Sequence, residues 1–272
     1  MDTPRVKIAV PGAAGKMGRN IIRVLAETPT AQLIAAVERQ AHADLGRDAG
    51  TIAGIAPIGV NLRPDLDAAL DEADVLIDFT APVATAWMAT RCAAREVAMV
   101  IGTTGLGDPE RRAVAKAAEQ VPVVLSPNMS VGVNVLFGLL DIAARALGPG
   151  YDTEIVEIHH RLKKDAPSGT ALRMAEVLAA AVERDLAEVG VYGRHGEVGA
   201  RKPEEIGVMT VRGGDVVGEH TAYFLGLGER IEITHRASSR ETFARGAVRA
   251  ALWLRDRDPG LYDMQDVLGL RK

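Results

Sequence analysis

Two adjacent histidines, three basic side chains and a Ser-Gly-Thr turn fall within fifteen residues: Glu157-Ile158-His159-His160-Arg161-Leu162-Lys163-Lys164-Asp165-Ala166-Pro167-Ser168-Gly169-Thr170-Ala171. Histidine trades a proton near neutral pH, and lysine holds an anion or yields a proton. If residues 153–160 form a strand, Glu157 and His159 share one face, with Val156, Ile158 and His160 on the other, so the two histidines should have different partners. The stretch from Asp165 to Thr170 reads as a helix opening. Proline suits a first turn, Ser168 or Asp165 can cap it, and Gly169 leaves bare amides within reach of a ligand. A carboxylate docked there gains from the amides and from the helix dipole. Arg161, Lys163 and Lys164 crowd positive charge that an anion would offset, although a solvated loop could also carry it. One lysine-based and one amide-based anion site, so close in sequence, suit a small dicarboxylate.

A reaction on such a ligand needs a second reactant, and the N-terminal half supplies a place for one. Short apolar runs at residues 5–10, 33–37, 75–79, 97–101 and 121–125 alternate with helical patterns at 15–27, 65–72, 83–95 and 108–119. That alternation predicts a parallel, doubly wound α/β sheet. Residues 40–62 are glycine-rich and read as irregular. The first strand runs into Gly12-Ala13-Ala14-Gly15-Lys16-Met17-Gly18, a glycine-spaced turn whose helix-start amides can meet a pyrophosphate. Glu38, at the end of the second strand, is placed to bond an adenosine ribose, and Arg39 beside it could pair with a 2′-phosphate. Acid and base together leave NADH and NADPH both open. Phe79-Thr80, Gly102-Thr103-Thr104-Gly105 and Ser126-Pro127-Asn128-Met129 end further strands and should line the same crevice, though ordinary turn chemistry would also place such residues there.

After Asn128 the pattern changes. Residues 131–147 read as a long apolar helix stopped by Gly148-Pro149-Gly150, followed by a strand at 153–160 and a helix at 170–188. Residues 207–212, 216–224 and 230–235 read as antiparallel strands joined by glycine turns, and 240–255 returns to helix. The expected fold class is therefore α/β, a Rossmann-like doubly wound parallel sheet, with a second α+β domain built on a mainly antiparallel sheet. Residues 1–130 with 240–272 form the expected dinucleotide-binding domain, and 131–239 the expected substrate-binding domain. A hinge near Met129 and Ser239 would let the two close.

Composition narrows the function classes. A net charge of −4 and 4% aromatic residues offer neither a broad basic field nor stacking platforms for nucleic acid. The lone Cys92 cannot form an internal disulfide and reads as a buried thiol in a reducing compartment. The opening Met1-Asp2-Thr3-Pro4 carries no leader pattern. The uncharged apolar stretch 131–140 is shorter than the ~20 residues that span a bilayer. A cytoplasmic protein with no membrane or nucleic-acid partner and no metal site is expected.

The run Glu157-x-His159-His160-x-x-Lys163-x-Asp165-Ala166-Pro167-Ser168-Gly169-Thr170-Ala171 resembles the signature of the dihydrodipicolinate reductase family, now called 4-hydroxy-tetrahydrodipicolinate reductases. The similarity extends over nearly the whole chain. It takes in the 12–18 loop, Asp78-Phe79-Thr80, Gly102-Thr103-Thr104-Gly105 and the segment from Pro127 to Asn134. Near the C-terminus it takes in Gly218-Glu219-His220 and His235-Arg236-Ala237-Ser238-Ser239-Arg240. No substitution in the central signature removes a functional group.

The resemblance implies reduction by NADPH or NADH of 4-hydroxy-2,3,4,5-tetrahydrodipicolinate, with loss of water, in the diaminopimelate route to lysine. It implies His159 and Lys163 as the acid-base pair, discharging the electron density that hydride delivery to C4 builds. His160, Lys163, Ser168, Gly169 and Thr170 would hold the substrate carboxylates, while Arg240 lies in a matching segment without a settled role. A homotetramer that pairs the second domains' sheets is also implied. Two rivals stay in view: another NAD(P)-dependent amino-acid dehydrogenase, and a non-catalytic NAD(P)-binding regulator. The set His159, His160, Lys163, Ser168, Gly169 and Thr170 argues against the first. The presence of both His159 and Lys163 argues against the second.

Overall fold

In the computed structural model, residues 4–271 are described. Met1-Asp2-Thr3, on which the leader reading rests, and Lys272 lie outside the described residues. Twelve strands follow in chain order: β1 (Val6–Pro11), β2 (Ala31–Val37), β3 (Leu62–Arg63), β4 (Val75–Asp78), β5 (Ala98–Ile101), β6 (Pro122–Leu125), β7 (Asp152–His159), β8 (Gly190–Val191), β9 (Ile206–Arg212), β10 (Gly218–Leu225), β11 (Arg230–Ala237) and β12 (Gly260–Tyr262). They divide between two compact units. One runs through Val131 and resumes at Arg240; the other is Gly132–Ser239.

The first unit is built on a seven-stranded sheet, β3-β2-β1-β4-β5-β6-β12, in which every pairing is parallel. Its strands are apolar on both sides because helices cover both faces. Ile8, Val10, Ile77 and Val100 pack with Ile21 and Ile22 of helix Lys16–Ala26 and with Ala247 and Ala251 of helix Glu241–Leu254. Ala9, Leu76, Met99 and Val123 pack on the other side with Met88, Ala89 and Cys92 of helix Pro82–Ala93 and with Val114 of helix Asp108–Ala118. Burial pushes the Cys92 thiol up to about 12, so at neutral pH it is an apolar filler and not a nucleophile. Strand order reverses between β1 and β4, which brings the carboxyl ends of those two strands to the switch point where such sheets bind ligands. The stretch read as irregular contains helix Ala49–Ala53, capped by Asp48, and runs into the two-residue β3 at Leu62. Elements this short carry too few residues to show a period.

The second unit holds the mixed sheet β11-β10-β7-β9-β8, and of the strands read as antiparallel in 207–235 only β9 is corrected. β10 is antiparallel to both β7 and β11, but β9 is parallel to β7 and to β8. The cause is helix Gly169–Ala181: a strand-helix-strand crossover returns the chain in the same direction, so β9 must pair parallel. β10 then pairs with the opposite edge of β7, so β9 and β10, consecutive in sequence, are not neighbours.

One face of this sheet, through Ile155, Val208, Ala222 and Phe224, packs on Leu136, Phe137 and Leu140 of helix Val131–Leu147 and on Met174 and Leu178 of helix Gly169–Ala181. The other face leaves Val156, Ile158 and Tyr223 partly exposed and Val211 exposed. The helix expected at 170–188 is broken. Glu183 takes a left-handed φ of 55°, which an α-helix cannot continue through, and Asp185 caps a separate turn, Leu186–Val189. By length and composition the stretch Val131–Gly150 could cross a membrane, but its Val133, Leu136, Phe137, Leu140 and Ala144 form part of this unit's core.

Candidate active site

In the first unit the glycine turn closes on itself. Gly12 adopts a left-handed φ of 64°, and the Gly15 amide donates to the Gly12 carbonyl at 2.9 Å. A Cβ at Gly18 would lie 2.3 Å from the Gly12 oxygen and 2.7 Å from Ala13 Cα, so only glycine lets helix Lys16–Ala26 start this close to β1. Gly15 is the N-cap and has no side chain to satisfy the first-turn amides. That leaves an anion cradle of backbone N–H groups. Glu38 Oε1 accepts from the Ala14 amide at 3.0 Å, which ties the end of β2 to the turn, and Arg39 is exposed beside it.

Asp78, fully buried at the end of β4, fastens the neighbouring loops. It accepts from the Thr80 amide at 2.8 Å, from Thr80 Oγ1 at 2.6 Å, from Thr103 Oγ1 at 3.1 Å and from Thr85 Oγ1. Burial raises its pKa above the ordinary carboxylate value, and these neutral donors only partly oppose the rise. Gly102 meets the Phe79 ring where a Cβ would come within 2.2 Å. Ser126 Oγ donates to the Asn128 carbonyl at 2.9 Å. Lys16, Met17, Phe79, Pro127, Asn128, Met129, Arg240 and Phe243 line a cleft of about 390 Å³. Arg240, left without a settled role by the sequence, thus belongs to this cleft, while Thr80, Gly105 and Thr104 lie on the exposed rim of the same strand ends.

In the second unit the period-two expectation holds: Glu157 and His159 are buried on one face of β7. Glu157 is the centre of the site. Its Oε2 accepts from His159 Nδ1 at 2.5 Å and from Arg212 Nη1 at 2.8 Å. Its Oε1 accepts from the Ser168 amide at 2.9 Å, from Arg212 Nη2 at 2.9 Å and from Thr210 Oγ1 at 3.2 Å. Burial would raise this carboxyl, but the His159 and Arg212 bonds and the Ser168 amide outweigh it and hold it at about 2. Sheet register delivers these partners: Thr210 pairs with Glu157 and Arg212 with His159 across the parallel β7–β9 ladder, and His220 pairs with Glu157 from β10.

His220 is buried with its ring edge-on to His159, centroids 5.1 Å apart, and its Nε2 lies 3.0 Å from Ser168 Oγ. Burial, and next to it the charge of His159, pushes His220 down to about 3, so it is neutral in the working range. Ser168 Oγ also accepts from the Ala171 amide at 3.2 Å, capping helix Gly169–Ala181. At Gly218 a Cβ would sit 2.9 Å from His159 Nε2, so glycine keeps that nitrogen uncovered.

The other expected residues gather less tightly. Lys163 Nζ donates to both carboxylate oxygens of Asp165, at 3.0 and 2.8 Å, and that contact lowers the Asp165 pKa. Arg212 Nη2 donates to the Asp165 carbonyl at 2.7 Å, binding this loop to β9. His160 lies just past β7, half-buried, its amide donating to the Val216 carbonyl at 2.8 Å. Gly169 is exposed and Thr170 half-buried at the helix start. Arg212, His220 and Asp78 are the residues that sequence reasoning did not assign. The available signal for Arg212 was Glu157 itself: a carboxylate facing inward from an apolar strand requires a cation.

Residues 6–129 match the family model for the dihydrodipicolinate reductase N-terminus and residues 132–268 that for its C-terminus. The 4-hydroxy-tetrahydrodipicolinate reductase of Anaeromyxobacter dehalogenans strain 2CP-1 is 58% identical over 97% of this chain and 98% of its own. The enzyme of the same name from Syntrophotalea carbinolica is 56% identical over 98% of this chain and all of its own. Among solved structures, a dipicolinate-bound dihydrodipicolinate reductase from Paenisporosarcina sp. TG-14 superposes with a TM-score of 0.77 at 24% identity, covering 96% of this chain and 98% of that one.

Proposed function

The chain belongs to the dihydrodipicolinate reductase family, and from that premise we propose that its first unit holds the nucleotide while Gly132–Ser239 holds the substrate and supplies the proton. The reaction is reduction of 4-hydroxy-2,3,4,5-tetrahydrodipicolinate to tetrahydrodipicolinate, with loss of water, in lysine biosynthesis through diaminopimelate. NADH or NADPH, when bound, supplies the hydride.

The glycine turn supports the nucleotide assignment, because Gly12 and Gly18 let the helix start tight against β1 and Gly15 leaves its first-turn amides without a side-chain cap. In this reading Gly12, Ala13, Ala14, Gly15, Lys16 and Met17 hold the pyrophosphate, and Glu38 and Arg39 face the ribose. Phe79, Thr80, Gly102, Thr103, Thr104, Ser126, Pro127, Asn128 and Met129 line the remainder. Arg240 joins them from the cleft wall.

The single observation that carries the substrate half is the buried bond from His159 Nδ1 to Glu157 beside the capped Ser168 turn. It gives a histidine with a fixed ring and one open nitrogen next to helix-start amides. His159 is the proton donor in this reading. Lys163 assists it and, with His160, Ser168, Gly169 and Thr170, holds the two carboxylates. A substrate carboxylate reaches Lys163 by taking the place of Asp165. The partly exposed outer face of the second sheet, with Val156, Ile158 and Val211, suits pairing of sheets in a homotetramer, and a cytoplasmic location fits a biosynthetic enzyme.

The test is a coupled assay in which the upstream synthase generates the unstable substrate and oxidation of NADH or NADPH is followed. Both wild type and His159→Ala are assayed. The variant should lose about 10²- to 10⁴-fold in kcat with little change in nucleotide KM. Absence of oxidation by the wild type with either nucleotide would overturn the function; unchanged turnover in the variant would overturn the role of His159.

A further inference from the structure

One carboxylate serves two ends of the substrate site. Glu157 Oε2 accepts from His159 Nδ1 at 2.5 Å, and Oε1 accepts from the Ser168 amide at 2.9 Å. We propose that Glu157 is a positioning residue that fixes the proton donor and the carboxylate-binding turn together, and that it thereby makes His159 Nε2 the atom that transfers the proton. The proposal deepens the reading of His159 as proton donor and rests on it.

The assignment of the atom follows from donors and acceptors. An ionised carboxylate only accepts, so the nitrogen facing it must carry a hydrogen. His159 Nδ1 therefore stays an N–H donor before and after transfer, and only Nε2 is free to lose and regain its proton. Gly218 stands beside Nε2, where even a methyl group would lie 2.9 Å away. The charged and titratable groups around Glu157 are few. Arg212 comes from β9 with two bonds, His159 from β7 itself, and His220 from β10 at the register position opposite. Lys163 and Asp165 come from the loop after β7, where Arg212 holds the Asp165 carbonyl. Arg212 meets the carboxylate charge, so the imidazole need not be protonated to satisfy it. His220, neutral, does not compete for the proton.

Stability is a poor explanation for the arrangement, since apolar side chains of equal volume generally do at least as well as a buried ion pair. Joint placement is a better one. If Glu157 held only the ring, the Ser168 amide would be a bystander. If it held only the turn, His159 Nδ1 could turn to solvent.

Glu157→Gln and Glu157→Asp separate these cases when kcat and KM are measured from pH 5.5 to 9.5 with synthase-generated substrate. Glu157→Gln keeps the shape and removes the charge. Its kcat should fall about 10²-fold, its substrate KM should rise and its nucleotide KM should stay put. The alkaline limb of its kcat profile should also move to lower pH. Glu157→Asp keeps the charge and should leave that limb at its wild-type position. Movement of the limb in neither variant, or equal movement in both, would overturn the proposal. Should Glu157→Gln fail to fold, the wild-type enzyme decides alone: proton NMR should show a far-downfield His159 Nδ1 resonance from the short bond to Glu157. Absence of that resonance would overturn the proposal. The resonance does not depend on turnover, so an inactive wild type would count against the function and leave this measurement standing.

Discussion

Asp78 and Glu157 are both fully buried carboxylates near the carboxyl ends of central strands, yet they are solved in opposite ways. Asp78 collects only neutral donors, three threonine hydroxyls and one amide, and burial leaves its pKa raised. Glu157 collects a guanidinium and an imidazole besides its amide, and they hold it at about 2 against its own burial. A ring of hydroxyls is sufficient where a carboxylate only clasps loops. Where the carboxylate must keep its charge, a cation has to be brought against it. The first unit carries the clasp, and the second carries the charge.

The sharpest way to break this contrast is to remove the cation. Arg212→Met should destabilise the protein by about 3–5 kcal/mol in urea unfolding, because it strands a buried charge. A loss below about 1 kcal/mol would show that Glu157 needs no cation. Acid titration separates the two next. Glu157 has a depressed folded pKa, so its contribution, on the order of 3 kcal/mol, is present above its ordinary value of 4.5. That contribution is lost as the pH falls from there towards 2. Asp78, raised in the fold, has the opposite sign: at neutral pH its ionisation costs stability, and acid relieves that cost. His220 adds to the acid loss, since a histidine held at about 3 opposes protonation that the unfolded chain accepts below 6.5. Unfolding midpoints between pH 5 and 2.5 should therefore fall less steeply in Glu157→Gln than in wild type, and more steeply in Asp78→Asn. Parallel slopes in all three would erase the distinction.

Asp78→Asn at neutral pH should cost only about 1 kcal/mol, since threonine hydroxyls can reverse their donation, with a rise in nucleotide KM as the Phe79-Thr80 loop loosens. A substrate-side defect alone would place Asp78 wrongly. The smallest effect belongs to Arg39→Ala, which should weaken NADPH several-fold, about 1 kcal/mol, and leave NADH unchanged. Equal change for both nucleotides would remove Arg39 from the phosphate.

The alternating unit was legible in sequence because strands covered on both faces are continuous apolar runs, separated here by patterned helices with glycine or proline at their ends. The shared face of Glu157 and His159 followed from the two-residue period alone. What stayed hidden depended on which strands become neighbours. Arg212 and His220 reach Glu157 through cross-strand register, and no local pattern says that β9 and β10 flank β7 from opposite sides. The break at Glu183 escaped for a different reason: residues on both sides carry helical patterns, and a glutamate in a left-handed conformation has no signature of its own.

The central place of β7 also sets an order of assembly. Glu157 meets Arg212 across 55 residues of chain, and Ser168 meets His220 across 52. Contacts this distant in sequence pay loop-closure entropy before they return anything and form slowly. A chain emerging from the ribosome has its two histidines and its lysine early, but it lacks Arg212 until β9 is made and His220 until β10 follows. Until both strands are added to either side of β7, the site is a list of side chains without a common acceptor.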